Sequence, residues 1–215
     1  MQHTVNLEEI SDGSLYSYND MVHIGCNGCG GSASCCRFAD DTITLDPYDI
    51  YLLQQGTGLN FEMLYAKQLI ALSPVLGLLI PHLNFSKSTN SCPFLLDSGR
   101  CSIHAYRPGL CRLFPLARLI EKDRVQYLLQ IHECPCETKP KTKIKKWLEL
   151  PDIEHYESYL IQWDAALTVT RNKLSSASGQ AELTAVTTEF LRNFYFIPYD
   201  ISRSFYEQWE QRLLQ

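Results

Sequence analysis

Nine cysteines constrain this 215-residue chain more than any other feature. They are Cys26, Cys29, Cys35, Cys36, Cys92, Cys101, Cys111, Cys134 and Cys136, and none falls in the last 79 residues. Their number is odd, and the chain is too long for a small disulfide scaffold. Residues Met1 to Glu9 show no basic stretch leading into an apolar one, so they do not read as a secretion signal. The longest apolar run, Leu69 to Ile80, holds 12 residues and contains Ser73 and Pro74. A membrane-spanning helix needs about 20. The expected compartment is therefore the cytoplasm, where thiols stay reduced and clustered cysteines read as metal ligands or redox centres before disulfides.

Four of the cysteines share the stretch from Gly25 to Cys36. Cys26 and Cys29 are separated by two residues, which lets both sulfurs turn toward one ion. Gly28, Gly30 and Gly31 permit the tight loop that this needs. Cys35 and Cys36 are adjacent, and neighbouring side chains diverge, so they serve either two metals or one metal and a packing role. A second group comprises Cys92-Pro-Phe-Leu, Gly99-Arg-Cys101 and Arg107-Pro-Gly-Leu-Cys111-Arg. Cys134-Pro-Cys136 forms the third. Ligands drawn from separate segments would cross-link the chain and couple metal binding to folding. The competing reading is that some are buried thiols, since cysteine is among the most buried residue types.

A thiolate donor set suits both zinc and iron–sulfur clusters. Eight or nine cysteines fill two four-ligand sites, or one site with spares. The bacterial ferredoxin run is absent, which weakens a simple ferredoxin reading. His104 and His132 lie close to cysteines, but without a recognised Cys/His spacing each reads first as structural. Arg107 and Arg112 flank Cys111. Guanidinium groups there offset thiolate charge or hold an anionic substrate, while the plainer reading is a salt bridge or a carbonyl clamp.

Composition narrows the class. Apolar residues make up 45% and charged residues 20%, and the net charge is −5, which argues against nucleic acid as a partner. Five lysines fall within Lys139 to Lys146. Pro140 interrupts them and no aromatics interleave, so the stretch reads as a solvated linker into a helix capped by Thr142, ahead of a contact for an acidic partner.

Local signals predict an α+β fold: a small irregular metal-centred core with short strands, followed by a helical C-terminal region. The domain reading is a flexible arm over 1–20, a cysteine-cluster core over 21–136 and a helical extension over 137–215 packed on that core. A short strand is expected from Asp41 to Leu45. Asp46 and Pro47 then start a helix that runs to about Gln55 and stops at Gly56. Asn60 caps a second helix, with Phe61, Leu64, Tyr65, Gln68 and Leu72 at helical spacing until Pro74. Cys92–Leu96 and Cys101–His104 read as strands joined by Asp97-Ser-Gly-Arg. Leu116–Glu121 and Arg124–Ile131 read as a hairpin turning at Lys122-Asp123, and Pro108 starts a short helix carrying Cys111. From Asp152 the tail is helical, broken at Ser175–Gly179, with further helices over Ala181–Phe194 and Ser202–Leu214 on either side of Pro198. A protein partner is expected, if anywhere, on this tail.

Several spaced elements, taken in order, resemble a known family. They are Cys26-x2-Cys29-x5-Cys35-Cys36, then Ile43-Thr-Leu-Asp-Pro-Tyr-Asp-Ile, Cys92-Pro-Phe-Leu, Gly99-Arg-Cys-Ser-Ile-His, Tyr106-Arg-Pro-Gly-Leu-Cys-Arg-Leu-Phe-Pro115 and Cys134. The family is the YkgJ-type cysteine-cluster family, the CxxCxxCC zinc- or iron-chelating domain. The resemblance covers 24 to about 136 and implies Cys26, Cys29, Cys35, Cys36, Cys92, Cys101, Cys111 and Cys134 as metal ligands. Cys136 and His104 stay open as extra ligands, His104 standing where the family commonly has Tyr. The five residues between Cys29 and Cys35 exceed the family spacing. The same signature occurs in the larger flagellin lysine N-methylases, which implies, for that branch, an iron–sulfur cluster and S-adenosylmethionine chemistry. On that resemblance an iron–sulfur cluster or iron is preferred slightly over zinc. Three functions follow as expectations: a zinc- or iron-binding protein, a methylase-like enzyme acting on protein lysine, or a zinc-stapled interaction module.

Overall fold

A computed structural model describes residues 7–24, 33, 36–37, 42–131, 133 and 139–214. Cys26, Cys29, Cys35, Cys134, Cys136 and His132 lie outside these residues. The chain forms two compact units from interleaved segments: Met1–Ser32 with Arg112–Ile161, and Ala33–Cys111 with Gln162–Gln215.

The first unit is built on a hairpin. Strands β4 (Leu116–Glu121) and β5 (Arg124–Leu129) pair antiparallel from Leu116↔Leu129 to Glu121↔Arg124. Lys122 and Asp123 both take positive φ, 50° and 58°, the two-residue turn whose twist matches the strands it joins. This is the hairpin expected from the sequence, with its second strand ending two residues earlier. After the four-residue helix α1 (Leu7–Ile10), Ser11 bridges to Gln130 and Tyr16 to Tyr127. Tyr16 and Tyr127 exchange both backbone hydrogen bonds at 2.8 Å. Ser11 and Tyr16 thus pair with β5 and the residue that follows it.

A second ladder joins β1 (Met21–His23) to β6 (Lys141–Lys143). The lysine-rich stretch, expected as a linker ahead of a Thr142-capped helix, is a strand instead. Thr142 spends its hydroxyl on Ile24 O, and the helix α5 (Ile144–Leu148) starts two residues after it, with Lys143 at its N-cap. The register places Ile144 and Leu148, both fully buried, inward and leaves Lys141 and Lys143 exposed. Tyr127, Tyr156 and Tyr159 complete this core.

In the second unit, α2 (Pro47–Thr57) opens with a reciprocal cap: Asp46 accepts from Asp49 N, and Asp49 accepts from Asp46 N. It runs past Gly56, the expected stop, and ends at Gly58 in the left-handed conformation, φ 72°. Gly56 serves a different purpose. A Cβ there would lie 2.8 Å from Tyr106 Cβ, so its missing side chain admits Tyr106 against the helix.

The helix expected through Leu72 is corrected to a short α3 (Phe61–Ala66), capped by Asn60. Gln68 turns left-handed at φ 55°, and the apolar run becomes a hairpin, β2 (Ile70–Val75) with β3 (Leu78–Leu83). Leu76 and Gly77, at φ 49° and 84°, make its turn. The positive-φ pair and the burial of β3 outweigh the helical spacing of Phe61, Leu64, Gln68 and Leu72. The strand expected over Asp41–Leu45 reduces to a bridge between Thr44 and His82, flanked by Leu45 N→Pro81 O and Leu83 N→Ile43 O; Asp41 lies outside the described residues.

The tail comprises α6 (Ile153–Ser176), α7 (Gln180–Leu191), a wide helical turn over Arg192–Phe196 and α8 (Phe205–Leu213). In the second unit, Trp163 meets Phe190, Phe194, Tyr195 and Trp209 at ring separations of 5.4–6.2 Å. Phe205 meets Tyr48, Tyr51 and Tyr199. Trp209 donates to Gln162, and Tyr195 donates to Leu45 O. Arg212 stacks on Tyr199, 3.5 Å from the ring centroid, and donates to the carbonyls of Asn193, Ile197 and Pro198. The fold is mixed, short antiparallel strand pairs with helices and a helical C-terminal region, as the α+β reading anticipates. Among the described residues, no helix is long and apolar enough to cross a membrane.

Candidate metal centre

Four of the expected ligands, Cys36, Cys92, Cys101 and Cys111, belong to the described part of the second unit. Turns and single bridges, rather than regular strands, set their positions. Cys92 N donates to Cys36 O at 2.9 Å, and Arg37 bridges to Ser91, which makes Cys36 and Cys92 neighbours on adjacent segments. Cys92 O accepts from Leu95 N, closing a tight turn. Leu95 then bridges to Cys101, and the chain between them reverses through Leu96 N→Arg100 O and Gly99, which sits at φ 77°.

The two strands expected over Cys92–Leu96 and Cys101–His104 are corrected accordingly. They reduce to one bridged pair, and His104–Tyr106 forms a tight helical turn. The reason is local: Ser102 aims both its N–H and its hydroxyl at Phe94 O, and Tyr106 N bonds back to Ile103 O, so no ladder extends.

Cys92 is buried, while Cys36, Cys101 and Cys111 are partly exposed. Phe94 N donates to the Cys92 sulfur at 3.5 Å. The thiolate is the form that binds a metal. Sulfur donors of this kind fit zinc and iron alike. Among the described residues, no three Cys, His, Asp or Glu side chains gather into a metal-holding group. The remaining expected ligands, Cys26, Cys29, Cys35 and Cys134, and the alternative Cys136, fall outside the described residues.

Cys111 rides on α4 (Gly109–Leu113), the short helix expected after Pro108. Its first N–H, at Gly109, donates to Asp49 Oδ1 at 2.7 Å in a buried hydrogen bond. Asp49 is 2% exposed, and its other oxygen holds Asp46 N. Sequence reasoning missed Asp49, Gly56 and Tyr106. The pattern Asp46-x-x-Asp49 does advertise a helix cap, but a contact across 60 residues leaves no spacing to read.

The two arginines beside Cys111 act as carbonyl clamps. Arg112, 5% exposed, reaches Leu148 O and Glu149 O at the end of α5, at 3.4 and 3.5 Å. Arg107 Nη1 donates to His104 O at 2.9 Å and lies 3.0 Å from His104 Nδ1. Arginine only donates, so Nδ1 is the acceptor in this contact. His104 in this arrangement orients the Arg107 turn.

A domain that presents thiols from turns and bridges, held by capped helices, is of the cysteine-cluster metal-binding class. The chain belongs to the CxxCxxCC family, a "putative zinc- or iron-chelating domain", whose family model matches residues 25–152. The YkgJ-type label fits this family, and membership supports zinc or iron chelation as the general activity. Neither a curated protein nor a solved structure matches the chain.

Proposed function

We propose that this chain chelates zinc or iron through cysteine thiolates. The ligands in this reading are Cys26, Cys29, Cys35, Cys36, Cys92, Cys101, Cys111 and Cys134, and iron in an iron–sulfur centre is the favoured form. The observation that carries the reading is the spaced cysteine set itself, all eight residues falling within the family match over 25–152. The bound metal would supply a cross-link between chain segments and, as an iron–sulfur centre, one-electron chemistry. The chain's own contribution is to position the thiols. Phe94 N–H donates to the Cys92 sulfur, and the Leu95–Cys101 bridge brings Cys101 back to the turn that begins at Cys92.

Anaerobic purification of the full chain, with elemental analysis, acid-labile sulfide and a visible spectrum on one sample, tests this. Iron with matching sulfide and a brown colour supports the cluster form. Colourless protein with stoichiometric zinc keeps the chelating reading and removes the preference for iron. Folded protein without either metal, or Cys→Ser changes at 26, 29, 35 and 36 that leave stoichiometry unchanged, overturns the assignment. If a cluster is found, calorimetry with S-adenosylmethionine is the measurement that follows.

A further inference from the structure

We propose that Asp49 is the positioning residue for the Cys111 thiolate, and that its carboxylate sets how tightly the metal is held. This rests on the chelating reading above. The argument is geometric. Both oxygens of a buried carboxylate are committed, Oδ2 to Asp46 N at 3.1 Å and Oδ1 to Gly109 N at 2.7 Å. The first bond belongs to the cap of α2. The second satisfies a backbone donor at the start of α4, two residues before Cys111, from an element 60 residues away. A five-residue helix is too short to hold its own orientation in water. Its direction, and with it the direction of the Cys111 side chain, is set by what grips its first turn.

Asp49 is suited to that grip because α2 is itself fixed. Residues Pro47 to Leu53 are buried, the helix is capped at Asp46 and Gly58, and Gly56 admits Tyr106 into contact. The segment between Tyr106 and Gly109 is therefore attached to α2 at two points, through the Gly56–Tyr106 approach and the Asp49–Gly109 bond. A charged acceptor makes a shorter and stronger hydrogen bond than a neutral one. Groups that orient a metal ligand without touching the metal typically change affinity by about 10–100-fold when removed.

The control is built into the structure. The Asp46 carboxylate accepts from Asp49 N in the α2 cap, while the bond to Gly109 is made by Asp49, so Asp46→Ala weakens the helix start and leaves the Asp49 carboxylate in place. Two readouts on the full chain separate the roles. In protein stripped of metal by a chelator, alkylation of each cysteine is followed by peptide mass mapping. Asp49→Ala is expected to raise the Cys111 rate several-fold over that of Cys92, and Asp46→Ala to leave the ratio at the wild-type value. In the second readout, zinc or ferrous iron is titrated against a chromogenic chelator. Asp49→Ala is expected to weaken binding about 10–100-fold, and Asp49→Asn, which keeps one acceptor oxygen, by less. Asp49→Asn carries the test if the alanine variant does not fold. A wild-type chain that takes up neither metal overturns the chelating reading. A wild-type chain that binds, with both Asp49 variants binding equally well and Cys111 alkylated at the wild-type ratio, overturns the positioning role alone.

Discussion

The two compact units solve the same problem with different materials. The second, Ala33–Cys111 with Gln162–Gln215, is filled with rings: Trp163, Phe190, Tyr195, Phe205 and Trp209 are all buried and joined in a chain of ring contacts. The first, Met1–Ser32 with Arg112–Ile161, relies on strand pairing, with the β4–β5 hairpin, the added pairing at residues 11 and 16, and the β1–β6 ladder. Rings bury much area per residue and give a unit that stands on packing. Short ladders bury less and depend on each turn and backbone partner. The difference teaches where stability should be sensitive to side-chain volume and where to local backbone geometry.

The sharpest way to break that comparison is Trp209→Ala. It removes a 1% exposed ring that contacts Trp163, Phe194 and Phe205, and the Gln162 bond with it. The expected loss is about 3–5 kcal/mol in denaturant unfolding. A loss under about 1 kcal/mol, the size typical of a surface change, would mean the ring cluster is not what holds this unit.

Tyr195→Phe is a finer probe of the same core. Its hydroxyl bonds Leu45 O, and burial, with Asp46 and Asp49 nearby, pushes the phenol pKa far up, so it remains a donor at every accessible pH. Deleting the oxygen orphans a carbonyl and should cost about 1–3 kcal/mol, read as a shift in urea midpoint.

In the first unit the informative variable is pH. Burial raises the Glu157 carboxyl pKa above its ordinary 4.5, opposed by the Tyr127 hydroxyl and by Arg118. The folded chain therefore binds a proton more readily than the unfolded one. The stability from this group is complete below 4.5 and is lost as pH rises through the folded value. Glu157 lines a cavity of about 500 Å3 with Asp20, Asp123 and Glu154, so other carboxylates face it. Glu157→Gln should flatten the decline in urea midpoint above pH 4.5. An unchanged pH profile would exclude Glu157 as its source.

The smallest expected effect has the opposite sign. Asp123 holds φ 58° in the hairpin turn, where glycine is favoured. Asp123→Gly should stabilise the first unit by about 0.5–1 kcal/mol. A destabilisation would show that the ladder tolerates its turn rather than being limited by it.

Legibility in the sequence divides along the same line. The β4–β5 hairpin was readable because Lys122-Asp123 separates two runs of strand-forming residues, a local signal. The β2–β3 hairpin was not, because Phe61, Leu64, Tyr65, Gln68 and Leu72 mimic a helix and nothing local announces that Gln68 turns left-handed. Gly56 reads as a stop until Tyr106 is seen against it. At the candidate site the family was legible, since thiols at tight spacings carry the CxxCxxCC signature in the sequence. The grip of Asp49 on Gly109 was not, because it joins residues 60 apart through one hydrogen bond.

The interleaving of the units has a consequence for how the protein is made. Tyr48 and Tyr51, in the first quarter of the chain, find their partners in Tyr199 and Phe205, close to its last residue. A ribosome working from the amino end exposes α2 long before it has synthesised what covers it. Between those moments the buried face of Ile50, Leu53 and their neighbours is bare and sticky, and the Cys92–Cys111 segment is already outside the tunnel. Nascent chains stalled before Phe205 should bind a general chaperone and lose it once α8 has emerged, so the segment that carries Cys92, Cys101 and Cys111 waits beside an uncovered helix until a helix without cysteine arrives.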